Sequence, residues 1–175
     1  MKKLNIKFNL SLKIFLIVFL IITCILIGLL INSTKKEEIK LNKYKSDYIN
    51  FTYYNNFNVY KQKDHIILTT KDKKTNIVIK KIDYTSNTKT KDKYEISSSL
   101  SYQVVENKKE YIETYNGIID NNYYFLYEDY QNKRQIEVIN IFDDNYIFTI
   151  IYSASNKEFD LYKESIDLII NSINV

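Results

Sequence analysis

Residues 14–31, IFLIVFLIITCILIGLLI, are eighteen consecutive positions without a charge. At a rise of 1.5 Å per residue they make about 27 Å of helix, close to the hydrocarbon thickness of a bilayer. A helix satisfies its own backbone hydrogen bonds, which lipid cannot do for it. The run therefore divides the 175-residue chain into a short basic tail and a remainder with room for one domain of ordinary size.

Three fates are open to such a segment. A cleaved export signal has an apolar region of about 7–15 residues and a small-residue cleavage site. Here Ile31 and Asn32 make a poor approach to cleavage after Ser33 or Thr34. Lipidation at Cys24 would use LIITCILIGLL, but Thr23 stands where a bacterial lipobox wants Gly, Ala or Ser. The residues after Cys24 also stay apolar where a polar tether should begin. The reading is a retained anchor in contact with the lipid bilayer over residues 14–31, with the cleaved and Cys24-lipidated forms as alternatives. Lys2, Lys3, Lys7 and Lys13 precede the run without any acidic residue, whereas Lys35, Lys36, Lys40, Lys43 and Lys45 follow it. Flanking charge matters most on a short tail, and long domains cross with little regard to charge. The expectation is a single-pass cell-membrane protein: a cytoplasmic basic tail (1–13), an anchor (14–31), a polar tether (32–45) and an extracytoplasmic domain (46–175).

Charge excludes one class of partner. Four of the 25 basic residues lie in the tail, and the other 21 balance the 21 acidic ones. A neutral domain lacks the cation surplus that nucleic-acid binding requires, so no nucleic acid is expected as a partner. Within the domain the balance is uneven, +8 over residues 35–93 and −8 over residues 94–175. With its one cysteine inside the apolar run, the domain has no disulfide to lean on. Asn-x-Ser/Thr matches at Asn32 and Asn50 would matter only in a eukaryotic secretory pathway.

Chemistry is sparse. The sole histidine, His65, opens a strand-like run, and no serine sits in G-x-S-x-G. An activated nucleophile needs a base in reach, and a zinc site needs several Cys or His ligands. Two glycines, Gly28 and Gly117, cannot build a phosphate cradle. The acidic clusters Glu128-Asp129 and Asp143-Asp144-Asn145 lack EF-hand spacing and read as strand and hairpin-turn positions. No catalytic, cofactor-binding or metal-ligating residue is assigned, no cofactor is expected, and the chain reads as a non-enzyme.

After the tether the pattern turns to short β-type runs. YINFTYY, FNVYKQ, HIILTT and TNIVIKKID are separated by turns at Asn55-Asn56, Lys63-Asp64 and KDKK. DKYE, residues 92–95, predicts a capped helix carrying Ile96, Leu100 and Val104 at i, i+4 and i+8. An antiparallel meander follows, EYIETYNGII, YYFLYEDY, RQIEVINIF and YIFTIIYS, with turns at residues 120–122, 131–133 and 143–145. The chain closes with one helix whose capping box is Ser155 and Glu158. Its apolar face is Phe159, Tyr162, Ile166, Ile169, Ile170 and Ile173. Strands, helix, meander and helix make an α+β fold, an antiparallel β-sheet flanked by helices.

Two stretches carry a resemblance. YINFTYYNNFNVY is similar to the strand–turn–strand opening, and DNYIFTIIYSASNKEFDLYKESIDLIINSINV to the ending, of the PsbP-like family of extracytoplasmic domains in bacterial envelopes. The resemblance implies an α-β-α sandwich and brings no universal catalytic residue. Where the family's opening turn usually carries Pro and often Trp, this chain has Asn55-Asn56-Phe57.

One strand offers a binding surface. In NNYYFLYEDY, Tyr123, Phe125 and Tyr127 share one face, and Tyr124, Leu126 and Tyr130 lie mostly on the other. One set faces the core, and exposed aromatics in the other would suit a glycan or peptide. The functional expectation is a membrane-anchored, non-enzymatic binding or accessory domain acting on an envelope protein or component. The alternative is a ligand-binding or sensory subunit beside a transporter or signalling protein, which a concave aromatic pocket between sheet and helix would favour.

Overall fold

The computed structural model describes residues 10–33, 39–108 and 110–174. The tail through residue 9 and the tether residues 34–38 lie outside the described residues. The chain divides into two compact units at Glu38/Ile39.

The first unit contains helix α1, Leu10–Ser33, which extends the uncharged run at both ends. Thr23 Oγ1 donates to the carbonyls of Leu20 (2.8 Å) and Phe19 (3.1 Å), so this hydroxyl is satisfied within the helix. Side chains are described for Phe15 and residues 17–27 only. Among the described residues no helix is long and apolar enough to cross a membrane.

The second unit is built on a seven-stranded antiparallel sheet. Its strands are β3 (Phe57–Lys61), β4 (His65–Thr70), β5 (Asn76–Asp83), β6 (Tyr111–Ile119), β7 (Asn122–Asp129), β8 (Arg134–Phe142) and β9 (Tyr146–Ser155). Their order across the sheet is β3-β4-β5-β9-β8-β7-β6, with β9 joining the first hairpins to the meander. The meander follows the expected turns. Asp120 and Asn121, both at positive φ (50° and 64°), form the two-residue connection between β6 and β7 that suits right-handed strand twist.

A second sheet pairs β1 (Leu41–Lys45) with β2 (Asn50–Tyr54). This corrects one expectation. The polar tether does not run to residue 45, because Tyr44 lies opposite Phe51 and stacks on it at 4.9 Å, drawing the lysine-rich strand into the domain. The Asn55-Asn56 turn forms as expected, and it passes the chain from the small sheet to the edge of the large one.

Helix α3, Lys93–Val105, lies over one face of the large sheet, after a single turn α2 at Ser86–Lys89. Asp92 caps α3 as expected, its carboxylate accepting from the N–H groups of Tyr94 (2.8 Å) and Glu95 (3.2 Å). The buried face of α3 is shifted by one position, however. Ser97, Ser101 and Val105 are buried, while Ile96, Leu100 and Val104 are only half-buried at its side. The sheet beneath explains it: Asn140 of β8 donates to the Ser97 carbonyl (3.3 Å) and to Ser101 Oγ (3.2 Å), and Thr149 of β9 donates to Asn140 Oδ1 (2.7 Å). Polar groups under the helix need polar partners, and the Ser97 carbonyl and the Ser101 hydroxyl supply them.

The main core lies on the opposite face. It unites Ile66, Leu68, Ile77, Ile79, Ile139, Phe148, Ile150 and Tyr152 of the sheet with Phe51 of β2 and with Phe159, Ile166, Ile169 and Ile170. The closing segment is not one helix: α4 (Asn156–Phe159) and α5 (Lys163–Ser172) are separated by a 3-10 turn at Asp160–Tyr162. The buried hydroxyl of Tyr152 donates to the Phe159 carbonyl at 2.6 Å, and the Lys163 N–H turns instead to the Asp160 carbonyl. Ser155 meets the Glu158 carboxylate at 2.9 Å through its hydroxyl and caps no backbone N–H. The architecture is α+β, with an antiparallel sheet between α3 on one side and α5 with the β1–β2 hairpin on the other.

Candidate functional site

The expected aromatic row is largely interior. Phe125 and Tyr127 are buried on the α3 side with Val105, Ile136 and Val138, and Tyr123 packs against them half-buried. Tyr124 is buried on the other side, in the main core. Only Tyr130, beyond the strand end, is exposed, at 60%. The strand alternates as expected, but helix α3 covers one face and the main core takes up Tyr124 on the other. The row is therefore corrected from a surface to a packing element.

What remains open is the margin where α3 stops short of the edge strand β6. A groove of about 460 Å³ lies there, lined by Tyr94, Glu95, Ser98, Ser99 and Tyr102 of α3 with Glu113 of β6 and Tyr127 of β7. Tyr94, Ser98 and Tyr102 recur at i, i+4 and i+8, so one flank of the helix forms the wall. Glu113 lies opposite Tyr127 in the strand pairing and shares the α3 side of the sheet with it. Burial, reinforced by the Glu113 charge and its hydrogen bond, pushes the Tyr127 hydroxyl well above the usual tyrosine range. That hydroxyl stays a neutral donor to the Glu113 carboxylate, which also accepts from Asn116 Nδ2 at 2.7 Å. Tyr94 packs its ring 5.9 Å from Phe125 and leaves 38% of itself exposed; Tyr102 is 61% exposed.

The other sequence candidates resolve locally. His65 opens β4 and pairs with Asp64 at 2.7 Å in the turn. Asp129 folds back to accept from the Asn132 N–H (2.9 Å) and Nδ2 (2.7 Å), which holds its carboxyl below the usual range. Among the described residues no three His, Cys, Asp or Glu side chains converge as a metal site would require.

The arrangement of layers defines an α-β-α sandwich, and the domain has the PsbP-like fold. Cyanobacterial PsbP from Synechocystis sp. PCC 6803, solved in solution, superposes with a TM-score of 0.57 over 77% of this chain and 92% of that one, at 14% identity. The sequence matches no family model and no curated protein.

Proposed function

We propose that the protein is a membrane-anchored, extracytoplasmic, non-enzymatic accessory domain that binds an envelope component. The PsbP-like fold at 92% coverage of the Synechocystis protein is the observation that carries the accessory role. Support for the anchor comes from the sequence, the uncharged apolar residues 14–31. Membrane fractionation with protease added to intact cells tests both parts. The expected result is a chain that resists alkaline extraction and loses its domain to external protease. A mature chain free in the medium, or a domain protected until cells are lysed, would refute the anchor or its orientation.

A second reading has one specific observation in its favour. The groove between α3 and the sheet is concave and holds three tyrosines, as a small-ligand or sensory subunit would require.

A further inference from the structure

The groove lies beside an edge of the large sheet. Strand β6 is nine residues long and ends the sheet, so its outer row of N–H and C=O groups meets no strand among the described residues. Natural edge strands are blunted by shortness, charged residues, proline, bulges or a covering element; β6 has one charge and one bulge and is otherwise open. The opposite edge, β3, is five residues long and ends at Lys61. β6 carries neither lysine nor proline, and its one charge is Glu113. Ile112, Tyr115, Ile118 and Ile119 are all exposed along it. Tyr115 lies along its own strand, with its ring over Gly117 where a Cβ would collide with it. Thr114 is a bulge on the β7 side, between Glu113 and Tyr115, and leaves pairable backbone on either side of it.

A strand added to this edge would lie about 4.8 Å from β6, and its alternate side chains would point to the α3 side. There they enter the groove, which supplies two carboxylates, Glu95 and Glu113, and the tyrosines Tyr94, Tyr102 and Tyr127, with no cation in its lining. Neither carboxylate is in a salt bridge among the described residues. Carboxylates around aromatic rings suit a lysine or arginine side chain, by ion pairing and by cation–π attraction. The excess of negative charge over residues 94–175 acts in the same direction at longer range.

We infer that β6 accepts an extended segment of a partner protein as an eighth strand, with a basic side chain of that segment seated in the Tyr94–Tyr102–Glu113 groove. The inference deepens the accessory-domain reading by naming the partner's chemistry, and it rests on that reading for a biological partner.

The test uses the full chain in detergent micelles and three capped seven-residue peptides of alternating valine and threonine. The central residue is lysine, norleucine or glutamate, and backbone amide shifts of β6 and α3 report binding. The lysine peptide should bind about tenfold tighter than the norleucine peptide, and the glutamate peptide weakest. Glu95→Gln with Glu113→Gln, both exposed positions, should erase the preference for lysine over norleucine. Equal affinity for the three peptides, or a lysine preference that survives the double substitution, overturns the inference. Free lysine amide binding as tightly as the peptide would also overturn it, because the groove would then act without a strand. So would a concentration-dependent dimer dissolved by Ile118→Lys, which would give the edge to a second copy. Peptide binding does not depend on which side of the membrane the domain occupies, so failure here and failure of the protease test are separate results.

Discussion

The contact between Asn140 and Thr149 sets the polar layer beneath α3, and its strength can be worked out from its geometry. Asn140 is fully buried and Thr149 is 2% exposed, with a 2.7 Å hydrogen bond between them. Thr149→Val leaves Asn140 Oδ1 buried without a donor, at a loss of about 2 kcal/mol. Asn140→Leu leaves the Thr149 hydroxyl in the same position and should lose about as much. Ser101 Oγ still donates to the Ser97 carbonyl at 2.7 Å after either change, so the helix side of the layer stays satisfied. Replacing both partners removes the orphan altogether. The double variant should therefore lose only about 1 kcal/mol rather than the additive 4, a coupling of about 3 kcal/mol at the upper end for neighbouring residues. Guanidinium unfolding of the four proteins in detergent micelles, followed by far-ultraviolet circular dichroism, measures this directly. Each single variant should also melt about 4–8 °C below the parent. Additivity within about 0.5 kcal/mol would refute this account of the layer by showing that the bond does not hold it.

Three further outcomes follow from buried polar groups. Ser97 Oγ is buried with no partner among the described residues, so Ser97→Ala should leave stability unchanged or raise it by up to about 1 kcal/mol; a clear loss in the same unfolding assay would reveal a partner. Tyr152→Phe keeps the ring stacked on Phe159 at 4.5 Å but removes the donor to its carbonyl, for a loss of about 1–2 kcal/mol and faster amide exchange at the start of α5; unchanged exchange would sink the explanation of the helix break. Glu137 is paired with Lys163 at 2.7 Å, yet burial raises its carboxyl above the ordinary value, with Lys163 opposing and Asp167 adding to the rise. A raised folded-state value means that the native site holds its proton more tightly than the unfolded chain does. Stability from this group is thus present in acid and lost as pH rises from about 4.3 through the raised value. Glu137→Gln should match the parent in acid and overtake it towards neutrality in denaturation midpoints, and a glutamine variant that falls behind as pH rises would reverse the sign.

Much of the fold is legible in local chemistry. Asp120-Asn121 tolerates the left-handed backbone of a tight hairpin, Asp92 offers a capping carboxylate, and Ile166, Ile169 and Ile170 repeat at helical spacing. In each case the signal and the structure it specifies lie within a few residues. Where the reading fails, the cause is a distant partner. Leu41–Lys45 has one inward side chain, Tyr44, and looks like a solvated tether until Phe51 is opposite it. The terminal helix breaks because Tyr152, back in β9, takes the Phe159 carbonyl. Ser97, Ser101, Asn140 and Thr149 are buried polar residues that no local hydrophobic pattern marks as interior. The hydrogen bonds among Asn140, Thr149 and Ser101 make the burial of those three tolerable.

The groove was illegible for a related reason. Tyr123, Phe125 and Tyr127 drew attention as a row on one strand, yet such a row binds only where nothing covers it, and here α3 covers it. The same burial that removes Phe125 from the surface leaves Tyr94 and Tyr102 at the uncovered flank of the helix, next to Glu113. No single segment carries that site: helix, edge strand and second strand each contribute, and their juxtaposition depends on α3 lying over β7 and β8 instead of β6. One trace was available in advance, the i, i+4, i+8 spacing of Tyr94, Ser98 and Tyr102 beside the inward serines. A helix that turns serines to the sheet has only its margins left for aromatics, and a margin beside an unpaired edge is where a partner can reach them.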